Sequence, residues 1–391
     1  MSFIEENCER CGTCLAECPY LTDLSTEQAK REITNLIETK ILGESIKRCI
    51  GCAYCDAICP TKSNPRELIR EASIERFKSQ GLPCFYLPHE EIEINDATIA
   101  LNLGDEGLKK KVHQYQHPPK SKQMFYLGCG LSYVQTDLIN TKLLDEFPKI
   151  GGVKFCCGSY TKLFGLDEIE IKGRNLLEEF CAFGIEKFII FCPGCLRMMY
   201  IYSNIIPEFE KSIKLQTFSA FLVEKYHKDE LKIKNQIKER ITFHDPCAWR
   251  NLDKKIFDAP RELLEILGAE VIEMKHNFNK TLCCGSSLAN SDKDFFNFVS
   301  GMRISEVKEI EATSIAVSCT GCLALAKPAK ENNIELYHIL ELVQRAIGED
   351  PPHKIIETSE KYRELINQTI KNHPKVLKDK CIIKDGRIQY L

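Results

Sequence analysis

Apolar positions along the chain change period several times, and each change predicts an element. Over residues 25–42, Ala29, Ile33, Leu36, Ile37 and Ile41 recur near helical spacing behind a Ser/Thr cap. A second helix is expected over residues 65–80, with proline in its first turn. Residues 81–122 lose the period: Pro83, Pro88, the acidic Glu90, Glu91 and Glu93, then Lys109 to Lys111 and Pro118-Pro119 read as a linker with a short surface helix. From Gln123 short apolar strands alternate with helices. Strands are expected at 124–127, 153–155 and 188–191, with helices at 133–147 and 171–183. The order then repeats, with strands at 241–243, 271–274 and 315–317, a helix at 260–267 and a long helical stretch to residue 311. Two successive βαβαβ orders predict two parallel-sheet units. Beyond Pro351-Pro352, a polar helix over 357–372 and a hairpin turning at Asp385-Gly386 close the chain.

Cysteine placement gives this frame its chemistry. Cys8-x-x-Cys11-x-x-Cys14-x-x-x-Cys18-Pro19 recurs as Cys49-x-x-Cys52-x-x-Cys55-x-x-x-Cys59-Pro60. This run binds 4Fe–4S clusters, its first three cysteines on one cluster and the fourth on the other. One cluster is therefore assigned Cys8, Cys11, Cys14 and Cys59, and the other Cys49, Cys52, Cys55 and Cys18. Structural zinc uses two plus two cysteines rather than a repeated run of four with proline, and is set aside.

Ten further cysteines form a pattern that occurs twice. Cys129, Cys156-Cys157-Gly158 and Cys192-Pro193-Gly194-Cys195 are followed by Cys247, Cys283-Cys284-Gly285 and Cys319-Thr320-Gly321-Cys322. In both copies 34 residues separate the pair from the C-x-x-C, and residues 157, 192 and 195 each lie 127 positions before their counterparts. Only the first spacer differs, 26 residues against 35. Each group falls where a predicted strand ends, the edge at which parallel α/β sheets gather ligands.

Composition narrows the class. Twenty-one cysteines in 391 residues point to disulfides or metal. The opening Met1-Ser2-Phe3-Ile4-Glu5 has no signal-peptide pattern, so thiolates held by metal in a reducing cytoplasm are expected. Apolar runs such as Phe188 to Phe191 fall far short of the roughly 18 residues of a membrane span. A net charge of −3 with balanced basic residues gives no sign of a nucleic-acid partner.

A cysteine, a long spacer, Cys-Cys-Gly, a second spacer and C-x-x-C resembles the cysteine-rich CCG domain of the heterodisulfide reductase family. Two ferredoxin motifs followed by two such domains resembles that enzyme's iron–sulfur subunits over residues 8–345, and His244-Asp245-Pro246-Cys247 and Asp258-Ala259-Pro260-Arg261-Glu262 resemble the family's second domain. The resemblance implies an α+α/β chain. Residues 1–80 would form a helical ferredoxin-like domain, 81–122 a linker, 123–240 and 241–350 two duplicated Rossmann-like CCG domains, and 351–391 a C-terminal helix and hairpin. It implies two cubane 4Fe–4S clusters and two noncubane 4Fe–4S clusters. The noncubane pair would be held by Cys129, Cys156, Cys157, Cys192 and Cys195, and by Cys247, Cys283, Cys284, Cys319 and Cys322, facing one another across a disulfide. Two such sites explain a two-electron reduction by one-electron carriers, since each can take one sulfur and no free thiyl radical is released.

The activity so implied is disulfide reduction in an anaerobe, with electrons from a flavoprotein, hydrogenase or membrane cytochrome partner and a disulfide or thiol substrate. The protein would be cytoplasmic, peripheral to the membrane at most through that partner. Relatives of this layout also serve glycerol-3-phosphate, glycolate and lactate dehydrogenases, so an electron-transfer subunit is the first rival reading and a non-enzymatic redox-sensing module the second. Family glycines after Cys-Cys-Gly are replaced by Ser159-Tyr160 and Ser286-Ser287. His244 is expected to make a structural hydrogen bond, with proton donation as its alternative role. Arg197, Arg250 and Lys280 are expected at the surface, with attraction of an anionic disulfide as their alternative role; Cys181 is expected in the core and Cys84 as a thiol without ligand role, while Cys381 is unassigned.

Overall fold

The computed structural model describes residues 2–21, 24–80, 82–83, 106–159, 169–289, 292–372, 381–384 and 387–390. Cys84, the acidic stretch after it and the Asp385-Gly386 turn lie outside the described residues.

The N-terminal region is helical. Helix Thr26–Thr39 opens on a capping box in which Gln28 N donates to Ser25 Oγ at 3.3 Å and Ser25 N donates to Gln28 Oε1 at 2.9 Å. Such a cap is worth about 1 kcal/mol. Ala29, Ile33, Leu36 and Ile37 are buried as their spacing predicts. The expected stripe stops there, because Lys40 takes a left-handed conformation and turns Ile41 out to 67% exposure. Helix Pro65–Gln80 begins on its proline, and the two helices share a small core with Leu15, Ile46 and Leu68. A two-residue strand, β1 (Leu82–Pro83), follows it.

Two four-stranded parallel sheets come next. The first contains β2 (Gln123–Tyr126), β3 (Lys149–Ile150), β4 (Lys187–Ile190) and β5 (Lys214–Thr217), in the order β3-β2-β4-β5. The second contains β6 (Arg240–His244), β7 (Glu270–Val271), β8 (Ser314–Val317) and β9 (Glu335–His338), in the order β7-β6-β8-β9. Register matches as well as order: Tyr126 pairs with Ile190 and Ile190 with Thr217, as His244 pairs with Val317 and Val317 with His338. One continuous apolar core runs through both sheets.

Several expected elements are displaced. β3 precedes the strand expected at 153–155, where the chain instead turns after Gly152, whose φ is +82°. In place of a helix over 133–147 there is a short helix Gly128–Tyr133 and two 3-10 turns, Thr136–Ile139 and Lys142–Leu144. Thr141 accepts a hydrogen bond from Leu143 N at 3.2 Å, a local bond that competes with helical pairing. β7 is shorter than the strand expected over 271–274. Helix Lys254–Ile266 starts before Pro260, capped by Asp253, and carries the proline inside it. No expectation covers β5 and β9, because Lys214-Leu215-Gln216-Thr217 and Glu335-Leu336-Tyr337-His338 are polar edge strands with weak alternation.

Helix Ile355–Asn372 returns toward the first sheet, where Gln135 Nε2 donates to Ser359 Oγ at 3.2 Å. The expected C-terminal hairpin pairs strands β10 (Cys381–Lys384) and β11 (Arg387–Tyr390), and the latter also pairs with β1, making a three-stranded antiparallel brace. Among the described residues no helix is long and apolar enough to cross a membrane.

Candidate metal centres

The N-terminal cysteines meet as two groups. Gly12, with φ +76°, lets the loop between Cys11 and Cys14 lie on helix Thr26–Thr39, since a Cβ there would sit 2.6 Å from Lys30 N. Burial, followed by the nearby sulfurs of Cys59, Cys8 and Cys11, pushes the Cys14 thiol up to about 12. Burial likewise pushes Cys18 up to about 12, beside Cys52 and Cys49. Cys55 is raised by burial, with Asp56, Cys49 and Cys52 adding to it. Cys59 goes the other way: its burial is outweighed by Ser63 and Thr61, and Ser63 N donates to its sulfur at 3.4 Å. Buried sulfurs this crowded resist ionisation by themselves and suit a cationic iron cluster, which would balance their charge. Cys14 thus neighbours Cys8, Cys11 and Cys59, while Cys18 neighbours Cys49 and Cys52.

The duplicated cysteines occupy equivalent places on the two sheets. After β2 the chain turns at Gly128, φ +69°, where a Cβ would fall 3.0 Å from Cys195 Sγ and 3.2 Å from Cys192 Cβ. The backbone just before Cys129 thereby lies against the C-x-x-C. Gly158 N donates to Cys156 Sγ at 3.5 Å, and Gly285 N donates to Cys283 Sγ at 3.4 Å. In the first copy Cys157 contacts Cys156 and Cys195, and Cys195 contacts Cys192. Tyr133 lies near Cys129 and Cys156. In the second copy the thiols run in an unbroken series, Cys247 to Cys283 to Cys284 to Cys322 to Cys319. The Cys283 sulfur and burial push Cys247 well above the usual thiol range.

Serines after the two Cys-Cys-Gly turns also correspond. A Cβ on Gly194 would lie 3.8 Å from Ser159 Oγ, and one on Gly321 would lie 3.3 Å from Ser286 Oγ. Where the family pattern has glycine, each serine here leans on the middle of its own C-x-x-C.

The two sites abut. A Cβ on Gly130, next to Cys129, would collide with Thr320 Oγ1 and lie 2.9 Å from Thr320 Cβ, inside the second C-x-x-C. Helix Pro193–Ile205, which begins after Cys192, packs on the turn Cys247–Trp249. A small cavity between the sheet ends is lined by Phe191, Thr217, Trp249, Ser318 and His338.

Residues outside the cysteine pattern are placed differently from expectation. Arg250 is 2% exposed rather than at the surface. Its Nε donates to Asn279 O at 3.0 Å, and its other nitrogens donate to Cys52 O and Thr281 O. It thus joins the N-terminal region to the second site. Arg197 is half-buried, while Lys280 is exposed as expected. Cys181 is exposed rather than in the core, because the buried face of its helix runs through Gly173, Leu176 and Phe180 and leaves position 181 beside it. Arg261 pairs with the buried Asp245 through two 2.8 Å bonds, and Asp245 accepts from Phe278 N at 2.8 Å, so the Asp258–Glu262 phrase anchors the His244-Asp245-Pro246-Cys247 turn.

Two residues outside every predicted motif also reach the sites. The Tyr20 hydroxyl accepts from Cys283 N at 2.6 Å, and Arg303 Nε donates to His244 Nδ1 at 3.0 Å. Tyr20 follows Cys18-Pro19 directly, a position that signals proximity to a cluster. Arg303 has no such signal, lying mid-helix away from any cysteine motif.

Comparison with known proteins finds this chain similar to iron–sulfur oxidoreductase subunits. A 4Fe–4S dicluster domain family matches residues 1–60, and a cysteine-rich domain family matches residues 241–325. The chain is 26% identical to a subunit of the dihydromethanophenazine:CoB–CoM heterodisulfide reductase of Methanosarcina barkeri, over 87% of this chain and 93% of that protein. It is 24% identical to a probable glycolate oxidase iron–sulfur subunit of Bacillus subtilis, over 88% and 94%. It is 22% identical to EtfAB:quinone oxidoreductase of Syntrophomonas wolfei, over 82% of this chain and 50% of that protein.

Proposed function

We propose that this chain, which resembles a heterodisulfide reductase component, is the iron–sulfur subunit of a complex that reduces a disulfide between two facing five-cysteine sites. The observation that carries the reading is the meeting of two complete cysteine sets at the point where Gly130 touches Thr320. In this reading, Cys8, Cys11, Cys14 and Cys59 hold one cubane cluster and Cys18, Cys49, Cys52 and Cys55 the other. Noncubane clusters are held by Cys129, Cys156, Cys157, Cys192 and Cys195, and by Cys247, Cys283, Cys284, Cys319 and Cys322. Matching strand orders support two duplicated Rossmann-like units at 123–240 and 241–350, behind a ferredoxin-like region at 1–80.

Bound clusters supply single electrons at two places, as a two-electron disulfide cleavage requires. The chain's own residues set the conditions for it. Gly158 and Gly285 N–H groups donate to Cys156 and Cys283, lowering the charge on those sulfurs. Burial keeps bulk water from Cys156, Cys157, Cys195, Cys283, Cys284 and Cys322, and the Gly130–Thr320 contact sets the spacing of the two sites. Tyr20 and Arg250 tie the N-terminal cysteines to the second site, a route for electrons from a flavoprotein, hydrogenase or membrane cytochrome partner in the cytoplasm.

Iron analysis of anaerobically purified protein tests the ligand sets: about 16 iron atoms per chain are expected for four clusters, and about eight would leave the CCG sites without iron and end this reading. EPR under oxidising conditions, with and without thiols, tests the activity. A new signal that appears with one thiol is the expected result. A full iron content with no response to any thiol favours the second reading, an electron-transfer subunit of a flavin dehydrogenase, for which the likeness to the Bacillus glycolate oxidase subunit speaks.

A further inference from the structure

The two CCG sites differ at the residue that ends their first strand. His244 ends β6 three residues before Cys247, and Tyr126 ends β2 three residues before Cys129. Their equivalence is fixed by register, since each pairs with the last residue of the neighbouring strand, Val317 or Ile190. His244 is 1% exposed, and one ring nitrogen lies with Cys284 Sγ and Cys322 Sγ in a group whose atoms are all within 4.8 Å of one another. Its Nδ1 accepts from Arg303 Nε at 3.0 Å. A guanidinium has no acceptor, so that nitrogen carries no proton and the ring hydrogen of the neutral imidazole sits on Nε2. Nε2 has no protein partner among the described residues.

Arg303 is itself locked. It is fully buried, and its Nη1 donates to Glu306 Oε2 at 2.6 Å and to His276 O at 2.7 Å. Among the described residues the first site has no equivalent histidine–arginine pair at these positions. Tyr126 donates its hydroxyl to the Phe155 carbonyl, and position 176, which lies 127 residues before Arg303, is the buried Leu176.

We infer that His244 is a positioning residue that donates its Nε2 hydrogen to a sulfur of the cluster that Cys284 and Cys322 would hold, and so makes the second site easier to reduce than the first. An N–H hydrogen bond to a cluster sulfur stabilises the more negative, reduced state, and burial strengthens it. Electrons passing Tyr20 and Arg250 therefore come to rest at the second site before the first. The inference rests on the cluster reading above.

The test is an EPR and Mössbauer redox titration of the full chain as wild type, His244→Phe and His244→Gln, each with its iron counted. The phenylalanine variant removes the donor, while the glutamine amide places an N–H near the Nε2 position. One of the four titration steps is expected to move in His244→Phe: at a fixed potential its reduced-to-oxidised ratio falls about tenfold, about 59 mV for a one-electron couple. His244→Gln is expected to recover most of that shift. Full iron with no step moved, all steps moved together, or no recovery by glutamine overturns the inference and leaves the cluster reading intact. Wild-type protein lacking CCG-site iron overturns both.

Discussion

The two cysteine-rich sites share strand order, register, the Cys-Cys-Gly turn and a serine leaning on the C-x-x-C, yet at equivalent positions they differ in polarity. Tyr126, Ser132, Leu176 and Thr217 around the first correspond to His244, Arg250, Arg303 and His338 around the second. All eight are buried. The first site is held by neutral groups bonded to nearby backbone, as where Ser132 Oγ donates to Gly128 O at 2.6 Å. The second is surrounded by basic side chains, two of them cationic, and one of these, Arg250, reaches the N-terminal region. The two units share a frame, and the second is the one bonded to the N-terminal region through Arg250 and Tyr20.

That difference can be broken most severely through the ligands. Cys157→Ser and Cys284→Ser each remove the central sulfur of one series, and each is expected to cost about four iron atoms per chain while sparing the other site. Loss of iron from both sites in either variant would show that the two cannot be loaded separately.

Next in size is the contact between them. Gly130→Ala places a Cβ against the Thr320 side chain and is expected to keep the iron but abolish the thiol-dependent EPR signal. Gly194→Ala meets only ordinary contacts at 3.7 and 3.8 Å and should leave that signal in place. Equal signals in both variants would mean that the spacing of the sites does not matter.

Arg250→Met sharpens the asymmetry. Two buried carbonyls, those of Cys52 and Thr281, lose their donor at about 1–3 kcal/mol each, so thermal unfolding should shift down by several degrees. Removing a cation beside Cys52, Cys247 and Cys283 should also lower the potentials of two centres, where His244→Phe moves one. A shift in a single centre would place Arg250 with one site only.

The smallest effect is a dependence on acid. Burial holds the His338 imidazole down at about 4. Above pH about 6.5 it is neutral folded or unfolded and contributes nothing to pH dependence; below that the unfolded chain binds the proton first, so stability falls until pH reaches about 4. At pH 5 the loss is about 2 kcal/mol. His338→Thr, which copies the capping Thr217 of the first unit, should remove that part of the loss when unfolding midpoints are compared at pH 7.5 and 5. An unchanged acid loss would assign it elsewhere.

What the sequence determined by itself is the local and periodic part. The four-residue cysteine runs, the duplicated cysteine groups, helix Pro65–Gln80, the capped start of Thr26–Thr39 and the terminal hairpin follow from spacing, proline, capping and alternation, all set within a few residues. Tertiary structure decided the rest. The edge strands β5 and β9 are too polar to announce themselves and exist because a neighbouring strand offers its backbone. Arg250 and Arg303 look like surface residues in sequence, and their burial depends on carbonyls and carboxylates supplied by distant segments. Tyr20 meets Cys283 across 263 residues. Such contacts depend on how units pack, which no local propensity encodes, and they make two nearly identical cysteine patterns into two unlike sites.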